Sequence, residues 1–402
     1  MQKKISEFLQ TRIDAGDFPS AVYLVAEKGE IIFQDALGYA VVEPERIEAR
    51  LDTIYDVASL TKPLVTGLLC ATRLDAGKLD LSEPIHRLAR EFFPYANKDI
   101  TIRNLLIHTS GLPAWFPFYT IFHDPRHKHE AVLDTIVKLS RESRPNESVL
   151  YSDLSFMVLG IHLAERYDVF VPDSFDELFR AAIADPLNLE STFNPPRRLR
   201  PRIAASEKGN EYEKQTCIEQ GFLQDYHPTA EAAPLLNEEG SLKDEIRIPH
   251  SAFRTDVIWG EVHDGNAYFM GGVAGHAGLF STTEEVFKIA QQFLPSYTRL
   301  LKPETCELFR TNFTKGMNED RSFAFQLAST EGSTAGTKMS PESFGHNGFT
   351  GTSLWIDPVN ERVFVLLTNR THNHSLPFVN INSVRRHFHD LAIDLLDEKL
   401  SN

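Results

Sequence analysis

Apolar positions recur along this chain with two periods, and the change from one to the other marks its elements. The opening segment MQKKISEFLQTRIDAGDFPS spaces Ile5, Phe8, Leu9 and Ile13 at helical intervals among polar residues, which predicts an amphipathic helix. AVYLVAEKGEIIFQDALGYA follows as two β-rich runs around Lys28 and Gly29, the pattern of an antiparallel hairpin that starts a sheet. SLTKPLVTGLLCATRLDAGKL has the spacing of a helix closed by Gly77, and ITIRNLLIHTSGLP that of a short helix running into a turn. Residues from about Glu130 to Ala184 are mostly helical in period. From Pro195 to about Arg247 the period fades into a polar, acidic stretch, which predicts a long excursion of loops packed on the helical part. STTEEVFKIAQQFL sets Ser and Thr ahead of Glu, a capping-box pattern. TSLWIDPVNERVFVLLTN predicts a second hairpin turning at Asp357 to Glu361, and INSVRRHFHDLAIDLLDEKL a terminal amphipathic helix.

Strands stand at both ends and helices between them, so the ends are expected to share one sheet flanked by helices: an α+β fold. On this reading residues 1–75 and 255–402 form the sheet lobe, 76–254 form a mainly helical lobe, and a cleft lies between. With 402 residues and 42% hydrophobic content the chain buries a large core. Its 41 basic and 56 acidic residues leave a net charge of −15, which argues against nucleic acid or an anionic membrane as partner. No run of eighteen apolar residues occurs, and the N-terminal segment has helical rather than signal-peptide spacing, so no membrane span is expected. Cys70, Cys217 and Cys306 are far apart and outside metal-ligand spacing. They read as reduced thiols in a cytoplasmic, reducing location.

The candidate chemistry starts at Ser59. Pro63 cannot sit inside a helix, because it lacks an amide and clashes with the carbonyl four residues back, so its helix must begin close to Ser59. Ser59 then lies at a helix N-terminus, with Lys62 one turn on along the same face. An amine beside a serine hydroxyl can take the proton a serine must lose to become a nucleophile. Taken alone, Ser-x-x-Lys is more often a capping serine and a surface lysine, so companions decide. A tyrosine sharing the proton fits Tyr95-Ala96-Asn97 or Tyr151-Ser152-Asp153; the second, just ahead of a helix, is preferred, and the bland alternative for either is a half-buried tyrosine with a satisfied hydroxyl. A strand edge with a cation and a glycine fits His346-Asn347-Gly348 or His276-Ala277-Gly278. The former opens a hairpin in which Gly348 and Gly351 admit a ligand close to the backbone, which leaves His276 as an extra wall. The bland alternative for either histidine is a hydrogen-bonded structural residue.

The order Ser-x-x-Lys, Tyr-Ser-Asp, His-x-Gly, set in ASLTKP, LLIHTSGLP and GGVAGHAGLFST, resembles the serine β-lactamase and penicillin-binding-protein superfamily. The likeness is to its class C-like branch with family VIII carboxylesterases and D-aminopeptidases, and runs from about Phe18 to the last helix. It implies a β-lactamase/transpeptidase-like fold and a serine hydrolase that acts through an acyl-enzyme on an ester or amide. By that resemblance Ser59 is the acylated nucleophile, Lys62 its proton acceptor and Tyr151 the partner that later helps activate water. The oxyanion rests between the N–H groups of Ser59 and Phe349. No metal or organic cofactor is implied, and the partner is a small-molecule or short-peptide acyl substrate.

Three positions depart from the usual pattern: Asp153 where Asn is commoner, His346 where penicillin-recognising members carry Lys, and Asn347 where Thr or Ser is usual. Lysine is charged throughout the working range, whereas histidine, with a reference pKa of about 6.5, is only partly so. That shifts the expectation from β-lactam or D-Ala-D-Ala turnover toward esters and other amides. The block GEVHDGNAYFMGGVAGHAGLF resembles one subgroup, some of whose members are linked to cell-wall peptide metabolism, with His263 and His276 tuning the site. Competing signals are weaker. His123, Asp124, His127 and His129, with His372 and His374, suggest a metal site but lack the helical His-Glu-x-x-His spacing. No Gly-x-Ser-x-Gly elbow occurs. The glycines at 271–272 and 275–278 read as close backbone packing or a flexible wall, and Trp115, Phe116 and Phe118 as apolar walls of the cleft. The other class of function is a binding or regulatory module that has lost turnover, which the presence of serine, lysine and tyrosine together argues against.

Overall fold

The computed structural model describes residues 2–85, 99–122, 128–164, 174–222 and 253–400. Its strands are β1 (Ser20–Glu27), β2 (Glu30–Val41), β3 (Ile47–Glu48), β4 (Tyr55–Asp56), β5 (Phe280–Ser281), β6 (Gln326–Leu327), β7 (Phe344–Asn347), β8 (Ser353–Asp357) and β9 (Arg362–Thr368). Seven of them form one antiparallel sheet in the order β3-β2-β1-β9-β8-β7-β6, and β4 pairs with β5 apart from it. The two ends of the chain meet where β1 lies against β9, from Ala21 opposite Thr368 to Glu27 opposite Arg362. The first hairpin turns at Lys28 and Gly29, with φ of 50° and 81°, the left-handed pair that a two-residue turn between twisted strands requires. The second turns after Asp357, whose Oδ1 accepts from the N–H of Val359 at 3.0 Å.

β1 reads as an unbroken apolar run because both of its faces are covered. Side chains alternate across a strand, so Val22, Leu24 and Ala26 enter the larger core while Ala21, Tyr23 and Val25 enter a smaller one. That smaller core is closed by the terminal helices Gln2–Asp14 and Asn382–Leu400 through Ile5, Leu9, Phe388 and Leu396. Each large apolar side chain buried there contributes roughly 1.5–3 kcal/mol. On the opposite face the larger core includes Leu64 and Leu68 after Ser59 and Phe156 and Leu159 in the helix Asp153–Ala164, which brings both candidate motifs onto one side of the sheet.

Three expectations change. The element after Ser59 is not one regular helix but a 3-10 turn (Ala58–Leu60), a π turn (Lys62–Gly67) and an α-helix (Leu68–Asp75). Pro63 has no N–H to close the first i→i−4 bond, so the hydrogen-bond ladder starts late and wide. The stretch after Pro195 is not all loop: Arg197–Arg202 forms 3-10 turns and Glu211–Glu219 an α-helix. The latter buries Glu213 and Cys217, so its inward face carries a carboxyl and shows no apolar period. The helical block is interrupted by irregular chain at 139–152, between Lys128–Lys138 and Asp153–Ala164. Tyr95 and Asn97, the metal candidates His123, Asp124 and His127, and residues 223–252 of the acidic stretch lie outside the described residues. Among the described residues no helix is long and apolar enough to cross a membrane.

Candidate active site

Ser59 sits in the 3-10 turn, directly after Ala58 at a φ of 48°, a left-handed backbone that costs about 1–2 kcal/mol for an L-residue and marks a held conformation. Asp56 holds it by accepting from the Ala58 N–H at 2.9 Å. Lys62 is fully buried. Its Nζ donates to Ser59 Oγ at 3.0 Å and to the carbonyl oxygen of His276 at 3.1 Å, and lies 2.7 Å from Asp153 Oδ1 as an ion pair. The glycine segment makes these approaches possible. Thr66 Oγ1 donates to the Gly275 carbonyl at 2.6 Å, and a Cβ on Gly160 would stand 2.7 Å from the Gly275 backbone. The glycines therefore serve close packing, wedged between the serine segment and the helix that begins at Asp153.

Burial alone would lower the Lys62 pKa, but attraction to Asp153 and then to Tyr151 more than offsets it and holds the ammonium above the ordinary lysine value. Tyr151 is raised by burial, with Lys62 pulling the other way, so the phenol is neutral. Its loop is held by His108, itself at a φ of 57°. The His108 carbonyl accepts from Leu150 N–H at 2.9 Å, its Nδ1 accepts from Ser152 N–H at 3.0 Å, and its ring lies 4.6 Å from that of Tyr151. Burial, then Arg321 and Lys62, push His108 well below the ordinary imidazole range, which keeps Nδ1 an acceptor.

The strand β7 passes beside Ser59. A Cβ at Gly348 would meet Thr352 Oγ1 at 2.0 Å and the Val57 carbonyl at 2.6 Å, so only glycine fits there. Among the described residues, the N–H groups of Ser59 and Phe349 donate no hydrogen bond. His346 was expected to be partly charged; burial, then Lys62 and Arg321, hold it well below the ordinary value, so it is neutral. Asn347 Oδ1 accepts from Thr334 Oγ1 at 3.0 Å. The expected extra wall, His276, pairs its Nε2 with Asp264 at 2.9 Å and contributes its carbonyl to Lys62; its ring is not among the groups lining the cavity.

A cavity of about 540 Å³ opens over Ser59, with Tyr151, Asp153, His346, Asn347 and Phe349 on its walls, a size suited to a small ligand. Trp115 lines it; Phe116 and Phe118 do not, being buried in the core. His263 lines it and stacks on Phe349 at 5.3 Å.

Sequence reasoning missed the cations of this cavity. Arg385 donates from Nη2 to the carbonyls of Gly348 and Thr352, both at 2.9 Å, and Arg370 from Nε to the Phe349 carbonyl at 2.8 Å. Neither meets a carboxylate among the described residues. Burial, with repulsion from Arg370, lowers Arg385 to about 9, still charged at neutral pH. In sequence Arg385 sits beside Arg386 on an amphipathic helix, where both read as solvent-facing. Glu213 was missed for the opposite reason, inside an apparent loop; burial, with Asp264 nearby, raises it to about 7.

Among the described residues no three potential metal ligands gather. His372 cross-links backbone instead, its Nδ1 on the Ser206 carbonyl and its Nε2 accepting from Val42 N–H, each at 2.8 Å.

Residues 3–385 match the family model described as Beta-lactamase. A relative from Escherichia coli (strain K12), "Putative D-alanyl-D-alanine carboxypeptidase", is 28% identical over 400 residues, 92% of this chain and 82% of its own. Two solved structures share the fold. One, "EstCE1, a hydrolase with promiscuous acyltransferase activity", gives a TM-score of 0.65 at 21% identity over 96% of this chain and 97% of its own. The other, "A class C beta-lactamase", gives 0.66 at 14% identity over 97% and 95%. With a family match across nearly its whole length and a β-lactamase/transpeptidase-like α+β fold, the chain belongs to the Beta-lactamase family and is a serine hydrolase of the acyl-enzyme type.

Proposed function

We propose that Ser59 is the acylated nucleophile, that Lys62 and Tyr151 carry its proton, and that the oxyanion rests on the N–H groups of Ser59 and Phe349. The observation that carries this reading is Lys62 Nζ at 3.0 Å from Ser59 Oγ, on a cavity wall shared with Tyr151. As Oγ attacks a carbonyl carbon, charge builds on the carbonyl oxygen, and each fixed N–H donor is worth about 2.7–4 kcal/mol of that barrier. The leaving group takes a proton by way of Tyr151, and an ester remains on Ser59. Water activated along the same path then frees the acid. Gly348 keeps the strand edge open, Asn347 and the neutral His346 offer hydrogen bonds to substrate, and Asp153 and His276 hold Lys62.

The substrate class is an acyl donor whose leaving portion ends in a carboxylate, the class named for the Escherichia coli relative. His346 supplies no cation, but Arg385 and Arg370, which meet no carboxylate among the described residues, flank the Phe349 turn. The three buried, unpaired thiols fit the cytoplasm.

Intact-protein mass after exposure to a fluorophosphonate tests the nucleophile: one adduct on the wild type and none on Ser59→Ala is expected, and an adduct that survives the substitution overturns it. Peptides ending in D-alanine, presented as free carboxylate and as amide beside acyl nitrophenyl esters, test the substrate. A preference for the carboxylate of about ten-fold or more in kcat/KM is expected, equivalent to 1.4 kcal/mol. Equal turnover of acid and amide would place the enzyme with general esterases.

A further inference from the structure

Four oxygens surround Lys62 Nζ: Ser59 Oγ at 3.0 Å, the His276 carbonyl at 3.1 Å, Asp153 Oδ1 at 2.7 Å and the Tyr151 hydroxyl, also within hydrogen-bond reach. An amine has two N–H groups and a lone pair, whereas an ammonium has three N–H groups and none. A neutral amine could donate to two of these oxygens and accept from a hydroxyl, but the buried ion pair with Asp153 at 2.7 Å holds Lys62 as an ammonium, and an ammonium cannot take the proton that Ser59 must lose. It has to give one up first. The carbonyl of His276 is a neutral amide oxygen and holds no proton, and Ser59 Oγ is the group being deprotonated. Asp153 Oδ1 remains, a buried carboxylate oxygen 2.7 Å from Nζ.

We infer that Asp153 is the terminal acceptor of the Ser59 proton, acting through Lys62; this rests on Ser59 being the nucleophile. In the acylation step the Ser59 O–H bond breaks as Oγ bonds to the acyl carbon. The proton passes to Lys62 Nζ while another leaves Nζ for Asp153 Oδ1. Lys62 ends as it began, an ammonium, and Asp153 becomes a neutral carboxylic acid. When the bond to the leaving group breaks, the same proton returns through Lys62 and Tyr151 to that group, which restores the carboxylate. No other reactant is needed.

The titratable and charged groups around this pair do not replace it. Tyr151 is a neutral phenol, and His108 behind it is neutral with Nδ1 already accepting a hydrogen bond. Arg321 pairs with Glu319 at 2.7 Å, and Asp264 with His276 at 2.9 Å. His346 is the competitor. It is neutral, its Nε2 has no hydrogen-bond partner among the described residues, and its ring lies 5.8 Å from that of Tyr151.

The test is the rate at which a fluorophosphonate labels Ser59, followed against pH, because it requires no knowledge of the substrate. With Asp153 as acceptor Lys62 need not be neutral, so the wild-type labelling rate at pH 6 stays within about three-fold of that at pH 8. A mechanism that needs neutral Lys62 instead loses about ten-fold per pH unit over the same range. Asp153→Asn removes the acceptor and leaves the amine itself as base, so its acid limb moves to higher pH and its rate at pH 6 falls by about 100-fold. Asp153→Glu, which returns a carboxylate, keeps the wild-type limb. An unmoved limb in Asp153→Asn, or a limb that moves in His346→Gln instead, overturns the inference while Ser59 remains the nucleophile. A steep wild-type limb overturns it even if the Asn variant does not fold. No label on Ser59 in the wild type removes the nucleophile and this inference together.

Discussion

Two histidines on the walls of one cavity are driven in opposite directions. His263 and His346 are nearly equally buried, 4% and 5% exposed, and both adjoin the turn that holds Phe349. Burial opposes charge on each. For His263 the hydrogen bond to Glu207 at 2.8 Å, and the negative charge of Glu207 and Glu213, overcome it and hold the ring above the ordinary value. For His346 the nearest charges are Lys62 and Arg321, which add to the burial cost. Its Nδ1 is spent on the Asn347 carbonyl at 2.9 Å, and its Nε2 has no hydrogen-bond partner among the described residues. The difference lies in the neighbours and not in depth. The motif led to an expected cation on β7; the imidazole held above the ordinary value stands across the cavity, stacked on Phe349.

The comparison is broken most severely at Glu207. Glu207→Gln leaves His263 without its counter-charge in a buried site, and the loss of one partner of such a pair costs about 3–5 kcal/mol. Gln can still accept from Tyr212 N–H, as Glu207 Oε1 does at 2.8 Å, so the loss isolates the charge pair. The sign of its pH dependence is set. His263 is held above its unfolded value of about 6.5, so the pair's stability is fully present below that pH and is lost as pH rises through the folded value. Thermal unfolding should therefore show a wild-type advantage in Tm over Glu207→Gln that shrinks as the buffer is taken alkaline. A gap constant from acid to alkaline pH would make His263 a neutral residue like His346.

A smaller change converts His346 into the charged residue that penicillin-recognising members carry there. His346→Lys would set an ammonium in a buried position facing Lys62 and Arg321, at a cost of roughly 1–3 kcal/mol. The midpoint of urea unfolding should fall accordingly. An unchanged or raised midpoint would mean that Asp153 has negative charge to spare, contrary to its pairing with Lys62 at 2.7 Å.

How far these features were legible in the sequence follows from the range over which each is encoded. The sheet was legible because β1 and β9 are apolar on both faces and each ends in a turn written locally. Ser59 with Lys62, Tyr151 and His346 stand in three short motifs in order, and the structure gathers them at one cavity. The supports between them were not legible. His108 fixes the Tyr151 loop across 44 residues, and Glu207 meets His263 across 56. No periodicity signals that a given polar residue will be buried with that partner. The helix Glu211–Glu219 was read as loop because its inward residues are Glu213 and Cys217. A buried carboxyl looks like a solvated one until the fold closes over it.

The gentlest test concerns the cations that stand in for His346. Arg370→Met keeps an unbranched side chain over the Phe349 ring, which Arg370 Cζ approaches to 4.9 Å, and deletes the charge. Turnover of carboxylate-ended peptides should fall by about ten-fold in kcat/KM, or 1.4 kcal/mol, with nitrophenyl esters changed by less than about three-fold. The effect is limited because the two arginines oppose each other. Arg385 is lowered to about 9 by burial and then by Arg370, so removing Arg370 relieves its neighbour and leaves one firmer cation in place. The lost discrimination should be largest at low salt, since Arg370 is the less buried of the two and screening acts on exposed charge. If acid and ester substrates decline in parallel, Arg370 serves only to hold the Phe349 carbonyl, and substrate charge is read by Arg385 alone.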